Sequence, residues 1–259
     1  MTSLVDTVNA LTAQPRDLAL SESYFLGFDT ETTGTFYGKD SIVSASLVLR
    51  KPGSDFSADV RQEWVINPGM PMHPAATRVN GFTDDFLAEN GQEQSSAIRE
   101  LSDVIVTAQV KNIPLVAYNA PFDIAMLNGD VKKIGLAQLS VLINDRDDDA
   151  FLTGNERELL VLDPLVIDRA VSKRRGGRKL IDTTEYYGVY PHGDFHTATA
   201  DTVATLDVLQ EIIRLHSNVA SLPLTDIMAF QRSSYNAWKE NFNSYLSSQN
   251  RPLVQGSWL

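Results

Sequence analysis

Residues 24–34 read Tyr24-Phe25-Leu26-Gly27-Phe28-Asp29-Thr30-Glu31-Thr32-Thr33-Gly34. The apolar run closed by Asp29 has the composition of a buried strand over 24–29, and Thr30 to Gly38 reads as a turn-rich connection. Alternate side chains of a strand share a face, so Asp29 and Glu31 project to the same side at the strand's end. Paired carboxylates there can hold a hard cation such as Mg²⁺, which prefers carboxylate and water oxygens. Two solvated acids at a strand edge would leave the same sequence, so the pair alone does not decide the chemistry.

Outward from this strand, Ser41–Leu49 forms a second and Gln62–Ile66 a third, the latter stopped by Asn67-Pro68-Gly69. The short links predict an antiparallel meander. The pattern then changes. Ser95–Lys111 has Ile98, Leu101, Ile105 and Ala108 on one helical face. A short strand at Leu115–Tyr118 precedes a helix opened by Pro121 and running to about Lys133. A strand at Leu159–Leu162 is followed by helices over Leu165–Lys173, Lys179–Tyr187 and Ala198–Leu215. Strands first and alternating strand and helix afterwards predict an α/β fold, a mixed sheet with flanking helices. Residues 1–21 read as an arm or short helix, with Leu4, Val8 and Leu11 in register. Residues 22–216 read as the main domain and 217–259 as a helical extension.

Two further segments carry acids at helix starts. Asn119-Ala120-Pro121-Phe122-Asp123 puts Asp123 in a first turn, where it can complement the helix dipole or join a site beside the strand end. His196-Thr197-Ala198-Thr199-Ala200-Asp201 puts Asp201 in the early turns of the Ala198–Leu215 helix with His196 just ahead. A lone histidine is ordinarily a loop residue, but this spacing lets both side chains reach one cleft.

These three segments, in this order, resemble the DnaQ-type proofreading exonucleases of the DEDDh group, with D-x-E on the first strand, an N-x-x-F-D-type second motif and H-x-A-x-x-D as the third. Val79-Asn80-Gly81-Phe82-Thr83 is similar to a family segment usually written H-G-I-T, with Asn80 and Phe82 departing from it. Leu162-Asp163-Pro164-Leu165 is similar to the family's D-T-L. The resemblance covers about residues 22–216. It implies an RNase H-like sheet with its first three strands antiparallel, and hydrolysis of terminal phosphodiesters in the 3′→5′ direction with release of nucleoside 5′-monophosphates. By the same resemblance two Mg²⁺ or Mn²⁺ ions would be held by Asp29, Glu31, Asp123 and Asp201, with His196 as general base. The substrate end would meet Thr32, Thr33, Gly34 and Asn119. The expected partner is a single-stranded or frayed 3′ end of DNA, with a replication polymerase as a further one. An exoribonuclease or oligonucleotide degrader of the same group, and an idle nucleic-acid-binding or polymerase-docking module, are the alternatives.

Other features are read against that expectation. Phe82 either stacks on the terminal base or belongs to the core. Lys173-Arg174-Arg175-Gly176-Gly177-Arg178-Lys179 is a basic cluster in which Arg174 and Arg175 can contact the substrate backbone, or a solvated loop. Asp145–Glu156 has acids at calcium-loop positions, but Ala150 stands where the sharp turn needs glycine, and it reads as a disordered acidic loop. Trp238, Phe242 and Tyr245 follow helical spacing, for packing or for docking. The 259 residues are enough for a sizeable core, and the net charge of −11 argues against a broad basic surface coating nucleic acid. The absence of cysteine excludes disulfides and thiolate metal sites. With no basic leader before an apolar run and no membrane-length stretch, a cytoplasmic protein is expected.

Overall fold

A computed structural model describes residues 2–146, 158–190 and 197–259. Helix α1 (Leu4–Ala10) precedes three antiparallel strands, β1 (Phe25–Thr32), β2 (Ile42–Arg50) and β3 (Val60–Asn67). Next come α2 (Pro74–Asn80), α3 (Asp84–Asn90), the two-residue β4 (Gln92–Glu93) and α4 (Gln94–Val110). β5 (Leu115–Val116), α5 (Pro121–Lys133), α6 (Leu139–Arg146), β6 (Val161–Leu162) and α7 (Pro164–Val171) follow. α8 (Leu180–Tyr187), α9 (Ala198–Leu215), α10 (Ser217–Ala220) and α11 (Ile227–Ser248) complete the order. The sheet runs β4-β3-β2-β1-β5-β6, with β5 parallel to β1 and β6 parallel to β5. Among the described residues no helix is long and apolar enough to cross a membrane.

β1 lies between β2 and β5 and is covered on both faces, which is why its first residues are apolar without alternation. Leu26 and Phe28 share a core with Ile98, Leu101 and Leu127. Phe25 belongs to a second core with Leu206 and Leu209 of α9. α9 comes closest at Gly27, where a Cβ would stand 2.6 Å from Thr202 Cγ2. Glycine there lets the start of α9 lie against the strand that ends in the acidic pair.

The meander is as expected, but β1 does not stop at Asp29. Glu31 still pairs with Ser44, and Thr32 with Ile42 across a register shift, so the turn begins only at Thr33. Residues 30–32 stay in register with β2 while the Thr30 amide donates to Asp123, and neither partner can be read from the local sequence. Helices α2, α3 and α6 were not expected. α2 buries no residue and α3 buries only Leu87, so neither has an apolar stripe to read. Their local signals were Pro74 in the first turn of α2 and Thr83, whose hydroxyl accepts from the Phe86 amide of α3.

Both flanking segments share the cores of the sheet. Leu4 and Val8 are buried with β1 to β3, and Ile227, Met228 and Gln231 of α11 are buried against the β6 side. Trp258 is 5% exposed in the larger core. Of the acidic segment Asp145–Glu156, all but the first two residues lie outside the described residues.

Candidate functional site

Asp29 and Glu31 leave β1 on the side of α9, and Asp201 stands in the first turn of α9. That turn is fixed by Thr197, whose hydroxyl accepts from the Ala200 amide, and by Thr199, whose hydroxyl donates to Glu63 at 2.6 Å. One carboxylate oxygen from each of Asp29, Glu31 and Asp201 lies within 4.8 Å of the others. Asp123, in the first turn of α5, is 3% exposed. Its Oδ1 accepts from the backbone amide and hydroxyl of Thr30 at 3.1 and 2.7 Å, which ties the second motif to the first.

Crowding sets the electrostatics. Burial, then the charges of Asp123, Asp201 and Glu31, hold the Asp29 carboxyl well above the usual carboxylate range. Burial and Asp201 push Glu31 up to about 7, against a hydrogen bond from Asn80. Burial also raises Asp123, partly offset by Thr30. Oxygen donors that converge but resist ionising are the donor set a hard divalent cation suits, because the ion removes the repulsion. The residues therefore fit Mg²⁺ or Mn²⁺.

A stability effect follows with a definite sign. The folded pKa of Glu31 lies above its ordinary value of 4.5. Its contribution to stability is therefore present below about 4.5 and lost as pH rises towards about 7. The cation-free protein is expected to melt at a lower temperature at pH 8 than at pH 5, by roughly 2–4 °C per kcal/mol. Mg²⁺ or Mn²⁺ should reverse the loss, and Glu31→Gln should flatten it. Thermal melts at both pH values with and without cation read this. A pH-independent cation-free melting temperature would mean the carboxylates are not strained.

The remaining predicted residues divide. Asn119 is exposed, at φ 63°, in the turn ahead of α5. Gly34 and Thr32 line a cavity of about 380 Å³ beside Glu31, together with Val79, Asn80 and Phe122. Gly34 packs so tightly on Asp40 that a Cβ would meet its Oδ2 at 2.4 Å. The hydroxyls of Thr32 and Thr33 are turned inward. That of Thr32 donates to the Gly34 carbonyl, and that of the buried Thr33 accepts from the Ser41 amide. Phe82 is half-buried with Val43, Met72 and Leu87, which is the core role. Arg174 is engaged within the protein. Its guanidinium pairs with the buried Asp168 at 2.9 Å and donates to Thr183, so it braces α7 against α8. Arg175 is exposed in the same turn. His196 lies outside the described residues.

Three supports were not foreseen. Asn80 donates to the Thr32 carbonyl and steadies Glu31, in the position where its departure from the resembled segment was the signal. Asp163 is fully enclosed and accepts from the amides of Asn119, Ala120 and Leu165. It also accepts from the Trp258 indole at 3.1 Å, while Gln231 accepts from its amide at 2.7 Å. The extension thus reaches the turn that presents Asp123. No local pattern announces a contact across 95 residues. A larger cavity of about 570 Å³ between α1 and α4, lined by Val5, Val8, Glu100 and Val104, contains none of these acids.

Known proteins with similar sequences and structures are consistent with this geometry. A family model described as Exonuclease (RNase T) matches residues 26–209. A DNA polymerase III subunit epsilon-like protein of Rhodobacter capsulatus is 30% identical over 196 residues, 75% of this chain and 24% of that protein. A PolC-type DNA polymerase III of Streptococcus pneumoniae is 28% identical over 131 residues, 50% of this chain and 8% of that protein. Among solved structures, exonuclease I superposes with a TM-score of 0.59 at 16% identity, covering 81% of this chain and 44% of the other. E. coli exonuclease I in complex with a dT13 oligonucleotide gives 0.58 at 16% identity, covering 76% and 42%. The chain thus spans about a quarter or less of these curated relatives. The mixed sheet is the RNase H-like fold of these exonucleases.

Proposed function

The chain belongs to the exonuclease family, a group of divalent-metal-dependent nucleases, and from that premise we propose that it removes nucleotides one at a time from the 3′ end of single-stranded DNA. The observation that carries this reading is the convergence of Asp29, Glu31 and Asp201 within 4.8 Å at the end of β1. The dT13 oligonucleotide bound by the E. coli exonuclease I neighbour, and the DNA polymerase III names of the relatives, favour DNA.

In this reading Asp29, Glu31 and Asp201 would hold a divalent cation, and Asp123 beside them would help hold a second. When bound, such ions polarise the scissile phosphate and make water a better nucleophile. The Asp29 carboxyl feels the charges of all three other acids, which a bound cation would offset. Thr30 orients Asp123 from one side with two hydrogen bonds. His196, five residues ahead of Asp201, takes the proton from the attacking water. Asn119 and Arg175, both exposed, would meet the substrate.

The buried Asp163 should make the extension matter to turnover. Trp258→Phe removes one N–H from an enclosed carboxylate, a loss of about 1–3 kcal/mol. The expected result is a lower melting temperature and a kcat reduced by about tenfold as the Asn119–Ala120 turn loosens. Melts and steady-state rates measure this, and unchanged values for both would show that Asp163 does not depend on the indole.

The test of the function itself is digestion of 5′-labelled DNA and RNA strands. With Mg²⁺ or Mn²⁺ the label should persist on products that shorten from the 3′ end, with nucleoside 5′-monophosphates released and DNA preferred. A chelator should stop the reaction, and Ca²⁺ should bind without supporting it, because its looser shell misplaces water. Immediate release of the 5′ label, internal cuts, or full activity in chelator would overturn the reading.

A further inference from the structure

We propose that the outer half of α11, with the turn after α7, forms a track for the single strand leading to the cleft, so that the enzyme grips nucleotides upstream of the one it removes. This rests on the exonuclease reading above. Along the aromatic stripe of α11 exposure rises from the half-buried Tyr235 to the exposed Tyr245. Ile227, Met228, Gln231 and Leu246 are buried, and between them the stripe runs through the half-buried Tyr235, Trp238 and Phe242 to Tyr245. Successive rings stand 5.4, 5.4 and 6.2 Å apart, and Tyr245 at the outer end is 54% exposed. A helix that only packs on a domain turns polar where the domain ends.

Cations accompany the rings. The Arg169 guanidinium lies 3.8 Å over Trp238, and Lys239 lies 5.9 Å from Tyr235. Gln231 meets Asp163 at the start of α7, and Trp238 meets Arg169 near its end, so the two helices run in the same direction. α11 therefore carries its outer rings towards the turn where Lys173 and Arg175 are exposed. In a chain of net charge −11, rings and cations gathered on one face complement a polyanion with flat bases. Beneath this face the buried Gln231 and Trp258 hold Asp163, which holds the turn ahead of Asp123.

The experiment compares kcat/KM of the full chain on the p-nitrophenyl ester of thymidine 5′-monophosphate and on oligothymidylates of about 4 and about 20 nucleotides. The expected wild-type result is a preference for the long strand. Tyr245→Ala, and separately Lys173→Glu with Arg175→Glu, should narrow the long-to-short ratio by about tenfold through KM. The charge variant should also flatten the salt dependence. If wild type prefers the long strand and both variants keep its ratio, the track is wrong. If wild type hydrolyses all three substrates without length preference, only the track fails. If it hydrolyses none, the exonuclease reading fails beneath it. Should Tyr245→Ala disperse a dimer in sedimentation while the length preference persists, the face is a subunit interface and the track is overturned.

Discussion

Asp29→Ala is expected to reduce hydrolysis by at least about 10³-fold while leaving the fold intact. Asp29 is one of the three acids whose oxygens converge within 4.8 Å, and its carboxyl also feels Asp123, so its loss removes an oxygen on which the cation site depends. The fold should tolerate the change for the same reason. A carboxyl held well above its ordinary range by burial and three like charges opposes the folded state at neutral pH, and alanine relieves that opposition. The cation-free melting temperature at pH 8 should therefore hold or rise, and the gain on adding Mg²⁺ should shrink. Labelled-strand digestion, cation titration by calorimetry and circular dichroism separate these effects. Near-normal turnover with a native spectrum would show that the site has been assigned to the wrong acids.

His196→Ala should cost roughly 10²–10⁴-fold in rate, the usual share of a positioned general base. Cation affinity should change little, since the carboxylates remain. The pH profile makes this sharper. An imidazole ordinarily titrates near 6.5 and accepts a proton only when neutral, so wild-type activity should fall as pH drops through that region. Glu31, held up to about 7, creates a second acid limb in the same window, because protons compete with the cation for it. The two limbs respond differently to cation concentration. More Mg²⁺ should move the carboxylate limb to lower pH and leave the imidazole limb in place. In His196→Ala only the movable limb should survive. Asp201→Ala, by contrast, should weaken cation binding along with rate, because Asp201 is one of the three converging acids. Loss of cation affinity in His196→Ala as severe as in Asp201→Ala would make His196 a ligand, and the base would have to be sought elsewhere.

Much of the fold and of the acid set was legible in the chain. β1, β2 and β3 announce themselves as apolar runs bounded by turn residues, and α4, α5 and α9 by periodicity and capping. Asp29 and Glu31 share a face because strand side chains alternate, and Asp123 and Asp201 open helices, as their positions after short apolar or capping segments suggested. All of these are local rules, set within a few residues of the position concerned.

What the chain could not show were the contacts that decide between equivalent local readings. Thr32 and Thr33 lie in the same acidic motif as Glu31, yet their hydroxyls turn back into the loop, because Asp40 and Ser41 return to meet it. Arg174 and Arg175 are neighbours of the same type. Only packing of α7 against α8 gives Arg174 the buried Asp168 and leaves Arg175 outside. The extension read as a helix for packing or docking, and what the sequence could not show is that Trp258 closes over Asp163 and so reaches the turn that presents Asp123. Sequence alone determined the three antiparallel strands, the longer helices with an apolar stripe, and the faces of the acids, because backbone periodicity and capping act at short range. The tertiary structure decided which polar groups are spent inside the protein and which face the cleft, because a buried donor or acceptor must find a partner wherever in the chain one arrives.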